Sequence, residues 1–341
     1  MPRYKGSQPR EKKQMSMWPF YIMLVVLLIS YAFDNNAIIG LGAFVLIIII
    51  VAVELRTSLA SVGAKRSAVD FGVAIGAAIA IWLILVIVLQ TTSPIDAVAS
   101  CSMLPNLQRG DFIVLHGISN FSSFASEHKI PVIKMDPGEF SQLRQNMQSE
   151  FLSYYAYIGN NKSEISQIIP VVSEPYGIAL YNTKCLSTYS YLNQNQNIGR
   201  CYVGANPEQN IIKYNYSIGL IVQGKVSAKA PYTSSITINN LTISENYSNP
   251  IVVYKTTPSD LFGGDIIHRL VAVIDVNGSY YTLTKGDNNQ GLDIQFENYP
   301  AQQGDIVGYV VGRIPIIGYL KLIISGQLAE PAGCNQVFVR T

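Results

Sequence analysis

A serine hydroxyl is barely ionised at neutral pH, so a serine nucleophile needs a base within hydrogen-bond reach. The chain has three histidines, His116, His128 and His268. The densest candidate for such chemistry is Ser100-Cys101-Ser102-Met103-Leu104-Pro105, followed by Arg109-Gly110-Asp111. Alone, this cluster reads as a polar turn. His268 stands in a strand-like run, Asp265-Ile266-Ile267-His268-Arg269-Leu270, where a histidine beside an arginine is more often structural. A third piece, Lys285-Gly286-Asp287-Asn288-Asn289 and then Asp293, offers two carboxylates, either of which could orient an imidazole. By itself it also fits a solvated acidic turn, and too few oxygen ligands cluster there for calcium. Serine, imidazole and carboxylate are together the components of nucleophilic acyl transfer.

Elements that would hold these groups follow from local pattern. Gly-Asp pairs precede three runs rich in Val, Ile and Tyr: Gly110-Asp111, Gly264-Asp265 and Gly304-Asp305. Glycine tolerates the positive φ of a turn, and aspartate hydrogen-bonds back to nearby backbone. Asn277-Gly278, between Ala272–Val276 and Tyr280–Thr284, predicts a type I′ hairpin. The expectation is a mainly β domain. Residues 119–249 differ: Phe140, Leu143, Met147, Phe151 and Tyr154 predict an amphipathic helix over Gly138–Tyr157, and Ser234–Ser244 is roughly strand-like. This segment carries more than half of the tyrosines and both Cys185 and Cys201, so it reads as a mixed α/β insertion with its own small core.

Only 13% of the 341 residues are charged, against about 25% in an average soluble protein. That argues against an ordinary soluble enzyme, and the 49% apolar content argues against a disordered chain. A net charge of +2 gives no basic excess for nucleic acid. Three uncharged stretches, Met17–Phe33, Ala37–Val53 and Phe71–Leu89, approach the ~20 residues a helix needs to cross a bilayer. Arg3, Lys5, Arg10, Lys12 and Lys13 precede the first stretch. Ser30-Tyr31-Ala32 would pass as a signal-peptide cleavage site, but it lies inside the apolar run, and an uncleaved anchor is the preferred reading. Basic residues stay cytoplasmic, and Arg56, Lys65 and Arg66 mark the second connection. The N-terminus is then inside and everything after Leu89 outside, with Ser102 near the outer surface. Sequons begin at Asn120, Asn161, Asn215, Asn240, Asn246 and Asn277, and all four cysteines also lie beyond residue 91. Cys185 and Cys201 either close a short disulfide loop or remain free thiols. No Cys-x-x-Cys spacing suggests a metal site.

The order of these pieces resembles signal peptidase I, and specifically the archaeal and endoplasmic-reticulum type. An anchor is followed by Ser102-Met103-Leu104-Pro105 with Gly110-Asp111, then by Gly264-Asp265-Ile266-Ile267-His268-Arg269. Lys285-Gly286-Asp287-Asn288-Asn289 with Asp293, and Gly304-Asp305-Ile306-Val307-Gly308, complete the series. Each motif is weak alone; all in this order are specific. The resemblance covers about residues 93–118 and 250–325, and implies a signal-peptidase-like β fold.

By that resemblance Ser102 matches the nucleophile, His268 the general base, and Asp293 the acidic group completing the site, with Asp287 its acidic neighbour. Ser100 aligns with an oxyanion-binding position, where the Ser102 backbone N–H would be the second donor. The implied activity is removal of signal peptides from secretory preproteins, without metal or cofactor. Implied partners are preproteins and membrane lipid, with the protein-export translocon as a further candidate and no nucleic acid. The expected layout is a basic cytoplasmic tail (1–16), three transmembrane helices (17–90), a catalytic core (91–118 and 250–325), the insertion (119–249) and a tail (326–341). Three spans, the insertion and a C-terminal segment too short to cross a membrane all depart from the pattern. The competing expectation is a non-catalytic anchored surface glycoprotein or assembly factor on a decayed peptidase core.

Overall fold

The computed structural model describes residues 17–34, 36–146, 153–158, 168–170, 183–190, 196–203, 211–224, 226–257, 264–296, 298–331 and 334–340. The chain divides into two compact units, residues 1–75 with 323–329 and residues 76–322 with 330–341.

Three apolar helices come first: α1 (Trp18–Asp34), α2 (Ala37–Val62) and α3 (Ala64–Leu89). Only α2 and α3 are long and apolar enough to cross a membrane; α1 has 17 residues. Their outward-facing side chains, such as Ile38, Leu41, Trp82, Leu83 and Ile87, are exposed. Contiguous apolar surface on this scale marks contact with another apolar phase. In the first unit Tyr31 is fully buried, and its hydroxyl donates to the Leu328 carbonyl at 2.8 Å. The expected loop carrying Arg56, Lys65 and Arg66 is not a loop. All three residues are helical, and α2 passes to α3 through Gly63 alone, at φ 82°. Leu59 and Ala60 before that glycine and Ala64, Lys65 and Arg66 after it favour helix, so the helices run on to it.

The second unit is built on an antiparallel sheet. Its strands are β1 (Ile95–Ala97) and β2 (Phe112–His116), then, after the short helix α4 (Phe121–Glu127), β3 (Val132–Lys134). Helix α5 (Pro137–Asn146) follows, capped by Asp136, whose carboxylate accepts from the Gly138 and Glu139 amides. The helix expected to reach Tyr157 does not extend that far, because Tyr154 already lies in the next strand. That strand, β4 (Ser153–Ile158), forms a separate four-stranded sheet with β5 (Ile168–Pro170), β6 (Thr183–Ser190) and β7 (Gln196–Val203). The backbones of Cys185 and Cys201 are register partners in it; their side chains lie outside what is described. Met147, Phe151 and Asn161 also fall outside the described residues.

The rest of the insertion is the long hairpin β8 (Lys213–Gln223) and β9 (Val226–Ile238), extended by β10 (Leu241–Ser244). Asn239 and Asn240, both at positive φ, make the tight turn between β9 and β10. Ile212, Tyr214, Ile236, Ile238 and Ile243 share one core with Val271, Ile274 and Leu283 of the main sheet and with Leu292 beyond β13. This half of the insertion thus packs on the main sheet instead of enclosing a core of its own.

Strands β11 (Ile251–Lys255), β12 (Asp265–Val276), β13 (Ser279–Lys285), β14 (Ala301–Gln302) and β15 (Ile306–Ile314) complete the main sheet. The order is β1-β2-β15-β11-β12-β13-β14, with β3 parallel to β12. The β12–β13 turn is the expected hairpin: Asn277 and Gly278 both have positive φ, and Gly278 N–H donates to the Asp275 carboxylate. Gly110 and Gly264 adopt the positive φ expected of them, whereas Gly304 sits in a 3-10 turn. The segment after β15 forms helix α6 (Gly318–Ile324), and β16 (Val337–Arg340) pairs with β8.

The end of α3 is stitched to this sheet. Gly117 N–H donates to the Leu89 carbonyl at 2.8 Å, and Thr91 Oγ1 donates to the Val307 carbonyl at 2.6 Å. A Cβ on Gly117 would stand 1.9 Å from the Gln90 carbonyl oxygen, a backbone atom that cannot step aside. Gly117→Ala is expected to lower stability by about 1–3 kcal/mol. At Gly312 the nearest atom to an added Cβ would be 3.9 Å away, so Gly312→Ala should stay within about 0.5 kcal/mol. Thermal unfolding of both variants in detergent checks the contrast.

Candidate active site

The serine segment is the turn between β1 and β2, and it is anchored from below. Met103 is 1% exposed and packs with Val98, Leu107, Ile113, Leu115 and Val253. Burying such a side chain contributes roughly 1.5–3 kcal/mol. With Met103 pinned inward, Ser102 is left half-buried and Ser100 exposed on the outer side of the turn. Their hydroxyl oxygens are 3.2 Å apart.

Three adjacent strands supply the next layer: Tyr254 from β11, His268 from β12 and Thr284 from β13. Asp293 opens the 3-10 turn Asp293–Phe296 that follows β13. His268 Nε2 is 2.9 Å from Ser102 Oγ, and its Nδ1 is 2.7 and 2.8 Å from the two Asp293 oxygens. An ionised carboxylate only accepts, so Nδ1 must carry the hydrogen. Nε2 is then free to accept from the serine hydroxyl. Ser102, His268 and Asp293 are thus brought into one continuous hydrogen-bonded line.

Asp293 is buried, which alone would raise its pKa. The charge and hydrogen bond of His268, with hydroxyl donors Thr284 at 2.5 Å and Tyr254 at 2.8 Å, outweigh burial and hold the carboxyl below its ordinary range. Tyr254 and Thr284 were not picked out by sequence reasoning. Thr284 immediately precedes the Lys285-Gly286-Asp287 motif, and that adjacency was the one available signal.

Asp287 lies elsewhere. Both of its oxygens accept from Arg269, each at 2.7 Å, and Asn106 Nδ2 donates to it at 2.7 Å. Arg269 also donates to the carbonyls of Tyr247 and Asn249. This bidentate pair ties the motif loop to β12 one residue beyond His268, so Asp287 faces Arg269 and not the imidazole. Gly286 is needed at the same place: an added Cβ would be 2.7 Å from the Ser102 carbonyl oxygen.

Lys285, the lysine nearest a motif, is also turned aside. Its ammonium pairs with Glu245 and sits 5.8 Å from the Tyr232 ring centroid. Burial pushes its pKa down to about 8, with Glu245 opposing. Burial also disfavours the Glu245 carboxylate, but Lys285 and Arg340 hold that group below its ordinary pKa. His116 hydrogen-bonds the Gly117 carbonyl and lies tilted against Tyr309, and His128 packs on Phe124 and Tyr309. Cys101, which the sequence left unassigned, forms a disulfide with Cys334.

A serine–imidazole–carboxylate line of this kind defines a class of sites that perform nucleophilic acyl transfer. The chain is moreover similar to signal peptidase I of the endoplasmic-reticulum type. It is 37% identical over 91 residues to the signal peptidase complex catalytic subunit SEC11 of Chaetomium globosum, covering 26% of this chain and 51% of that protein. It is 36% identical over 92 residues to the subunit of the same name from Colletotrichum graminicola, with the same coverage. For that of Eremothecium gossypii the identity is 35% over 85 residues, 24% of this chain and 49% of the other. The chain spans about half the length of the curated relatives it matches. No family model matches it, and no solved structure does.

Two outcomes follow from the charged groups. Asp287→Ala leaves Arg269 buried without its counter-charge and should destabilise the fold by about 3–5 kcal/mol, whereas Arg269→Met with Asp287→Leu should recover most of that loss. Denaturant titration of the single and double variants reads this. The depressed pKa values of Asp293 and Glu245 contribute stability well above their ordinary values of 3.8 and 4.5. That contribution is lost as the pH falls below those values, because the unfolded chain then binds more protons. The melting temperature should therefore fall steeply from pH 5 to pH 3, and less steeply in Glu245→Gln.

Proposed function

We propose that the chain is a membrane-bound serine endopeptidase that removes N-terminal signal peptides from exported preproteins. The observation carrying this reading is the 2.9 Å contact of Ser102 Oγ with His268 Nε2, backed by Asp293, in a chain similar to signal peptidase catalytic subunits. His268 takes the proton as Ser102 Oγ attacks the scissile carbonyl. Asp293 holds the ring and balances the imidazolium that forms, and Tyr254 and Thr284 keep Asp293 ionised. Ser100 Oγ and the Ser102 amide stabilise the oxyanion. The amine of the mature protein leaves with the proton from His268, and the signal peptide stays as an acyl-enzyme on Ser102. Water activated by His268 then releases it. Asp287 acts at one remove, by holding Arg269 and the loop beneath the serine turn. Small residues at −1 and −3 of the cleavage site, bound as an added strand, are the substrate class that the resemblance implies.

In this reading α1, α2 and α3 all span the membrane, with the N-terminus cytoplasmic and the sheet unit outside. Helices α2 and α3 support membrane insertion by length and composition. The Cys101–Cys334 disulfide suits an oxidising compartment, which supports the outer placement. Membrane lipid is the surrounding partner, and the protein-export translocon is the assembly that would deliver substrate. Ser102 and His268 within hydrogen-bond reach favour this over a non-catalytic glycoprotein on a decayed core.

Purified full-length chain in detergent should cleave a preprotein, and Ser102→Ala or His268→Ala should reduce cleavage to background. Asp293→Asn should lower kcat by about 10⁴-fold. Ser100→Ala should lower it by about 10²-fold, the usual loss for one oxyanion donor. Full activity in Ser102→Ala would overturn the reading.

A further inference from the structure

The C-terminal tail expected over residues 326–341 makes contacts that converge on the serine turn. Cys101 is the residue between Ser100 and Ser102, and it is joined to Cys334 across 233 residues, with Cα atoms 5.0 Å apart. Asn288 reaches both Cys101 and the tail just beyond Cys334. Its side-chain amide donates to the Cys101 carbonyl at 3.1 Å and to the Gln336 carbonyl at 3.0 Å, and its oxygen accepts from Phe338 N–H at 2.6 Å. Its own backbone N–H donates to the Ser102 carbonyl at 2.7 Å. The carbonyls on both sides of the Cys101–Ser102 step are therefore held by one residue, and that residue is held by the tail.

The tail is itself fixed. Strand β16 pairs with β8 from Val337↔Val222 to Arg340↔Gly219. Phe338 is 5% exposed and packs edge-on to Tyr232 at 5.2 Å. Arg340 donates to the Asp287 carbonyl at 2.8 Å and to Glu245 at 2.7 Å. The inserted hairpin joins the same frame, since Thr233 donates to the Gln290 carbonyl at 2.8 Å and to Gln295 Oε1 at 2.9 Å. Insertion, tail and motif loop thus form one scaffold under the turn that carries Ser100 and Ser102.

We propose that residues 334–340 are a positioning element of the active site, which through the Cys101–Cys334 bond and Asn288 sets the peptide between Ser100 and Ser102. The inference rests on the peptidase reading above. The groups it orients, the Ser102 hydroxyl and the oxyanion donors, act on the transition state, so its loss falls on turnover and not on substrate binding. A displacement of about 1 Å in such groups lowers rate about 10²-fold.

The test compares kcat and KM for preprotein cleavage by the full chain in detergent, in wild type, Cys101→Ser/Cys334→Ser and Asn288→Asp, with Ser102→Ala as the blank. Asn288→Asp keeps the disulfide and the acceptor for Phe338 N–H, but loses the donor to Cys101 and Gln336. Melting temperatures are measured alongside, and cleavage is assayed well below the lowest. The expected result is a fall in kcat of about 10–100-fold in both variants, with KM within about twofold of wild type. Unchanged kcat with only a lowered melting temperature would make the tail a mere staple and overturn the inference, as would a loss confined to KM. A wild type without Ser102-dependent cleavage would instead overturn the peptidase reading, and this inference with it.

Discussion

The carboxylate of Asp293 has lost nearly all of its water, and an ionised group in that position persists only if the protein replaces the hydration. Here the replacement comes from three neighbouring strands at once. Tyr254, His268 and Thr284 each aim a donor at it, from β11, β12 and β13. Those strands must therefore keep their register, because a slip of one residue sends every side chain to the opposite face. The sheet order, the hairpin at Asn277-Gly278 and the bulge between Leu270 and Ala272 all serve that alignment. What fixes the tautomer of His268, and so the acceptor facing Ser102, is the same requirement that a buried charge be answered.

A second ionic clamp lies one residue away and does a different task. Successive residues of a strand point to opposite faces, so Arg269 turns from the imidazole and meets Asp287. The first pair orients a ring; the second fastens a loop to the strand beside that ring. In a chain where only 13% of residues are charged, few ionisable groups are present to blur either arrangement. Lys285 shows the same economy: it lies next to the motif, yet Glu245 and Tyr232 hold its ammonium.

Much of this was legible in the sequence where the signal is local. Asn277-Gly278 specifies its turn by needing positive φ twice, and the run around His268 reads as a strand from its apolar residues. The order of the Ser102, His268 and Asp293 motifs named the groups that the fold brings together. What could not be read depends on partners far along the chain. Nothing near Tyr254 announces a carboxylate 39 residues away, and nothing near Cys101 announces Cys334. Local pattern left either aspartate free to orient the imidazole and only the resemblance put Asp293 first; the fold pairs Asp293 with His268 and Asp287 with Arg269. The helix expected through Tyr157 gives way to a strand at Ser153–Ile158 for another reason: spacing that suits a helix at Phe140 and Leu143 says little about where it must stop.

The placement of the insertion has a consequence in polymer terms. It leaves β2 near His116 and returns at β11 near Val252, and both residues are register partners of Tyr309 on the single strand between them. The two ends are thus fixed two strand spacings apart, roughly 10 Å. Closing a loop between fixed ends costs about 0.6 kcal/mol for each doubling of its length. Growing from a short connection of about eight residues to about 130 is four doublings, roughly 2.4 kcal/mol. A single well-buried leucine offsets a penalty of that size, so the chain length between serine and histidine is nearly free to vary while the distance between them is not.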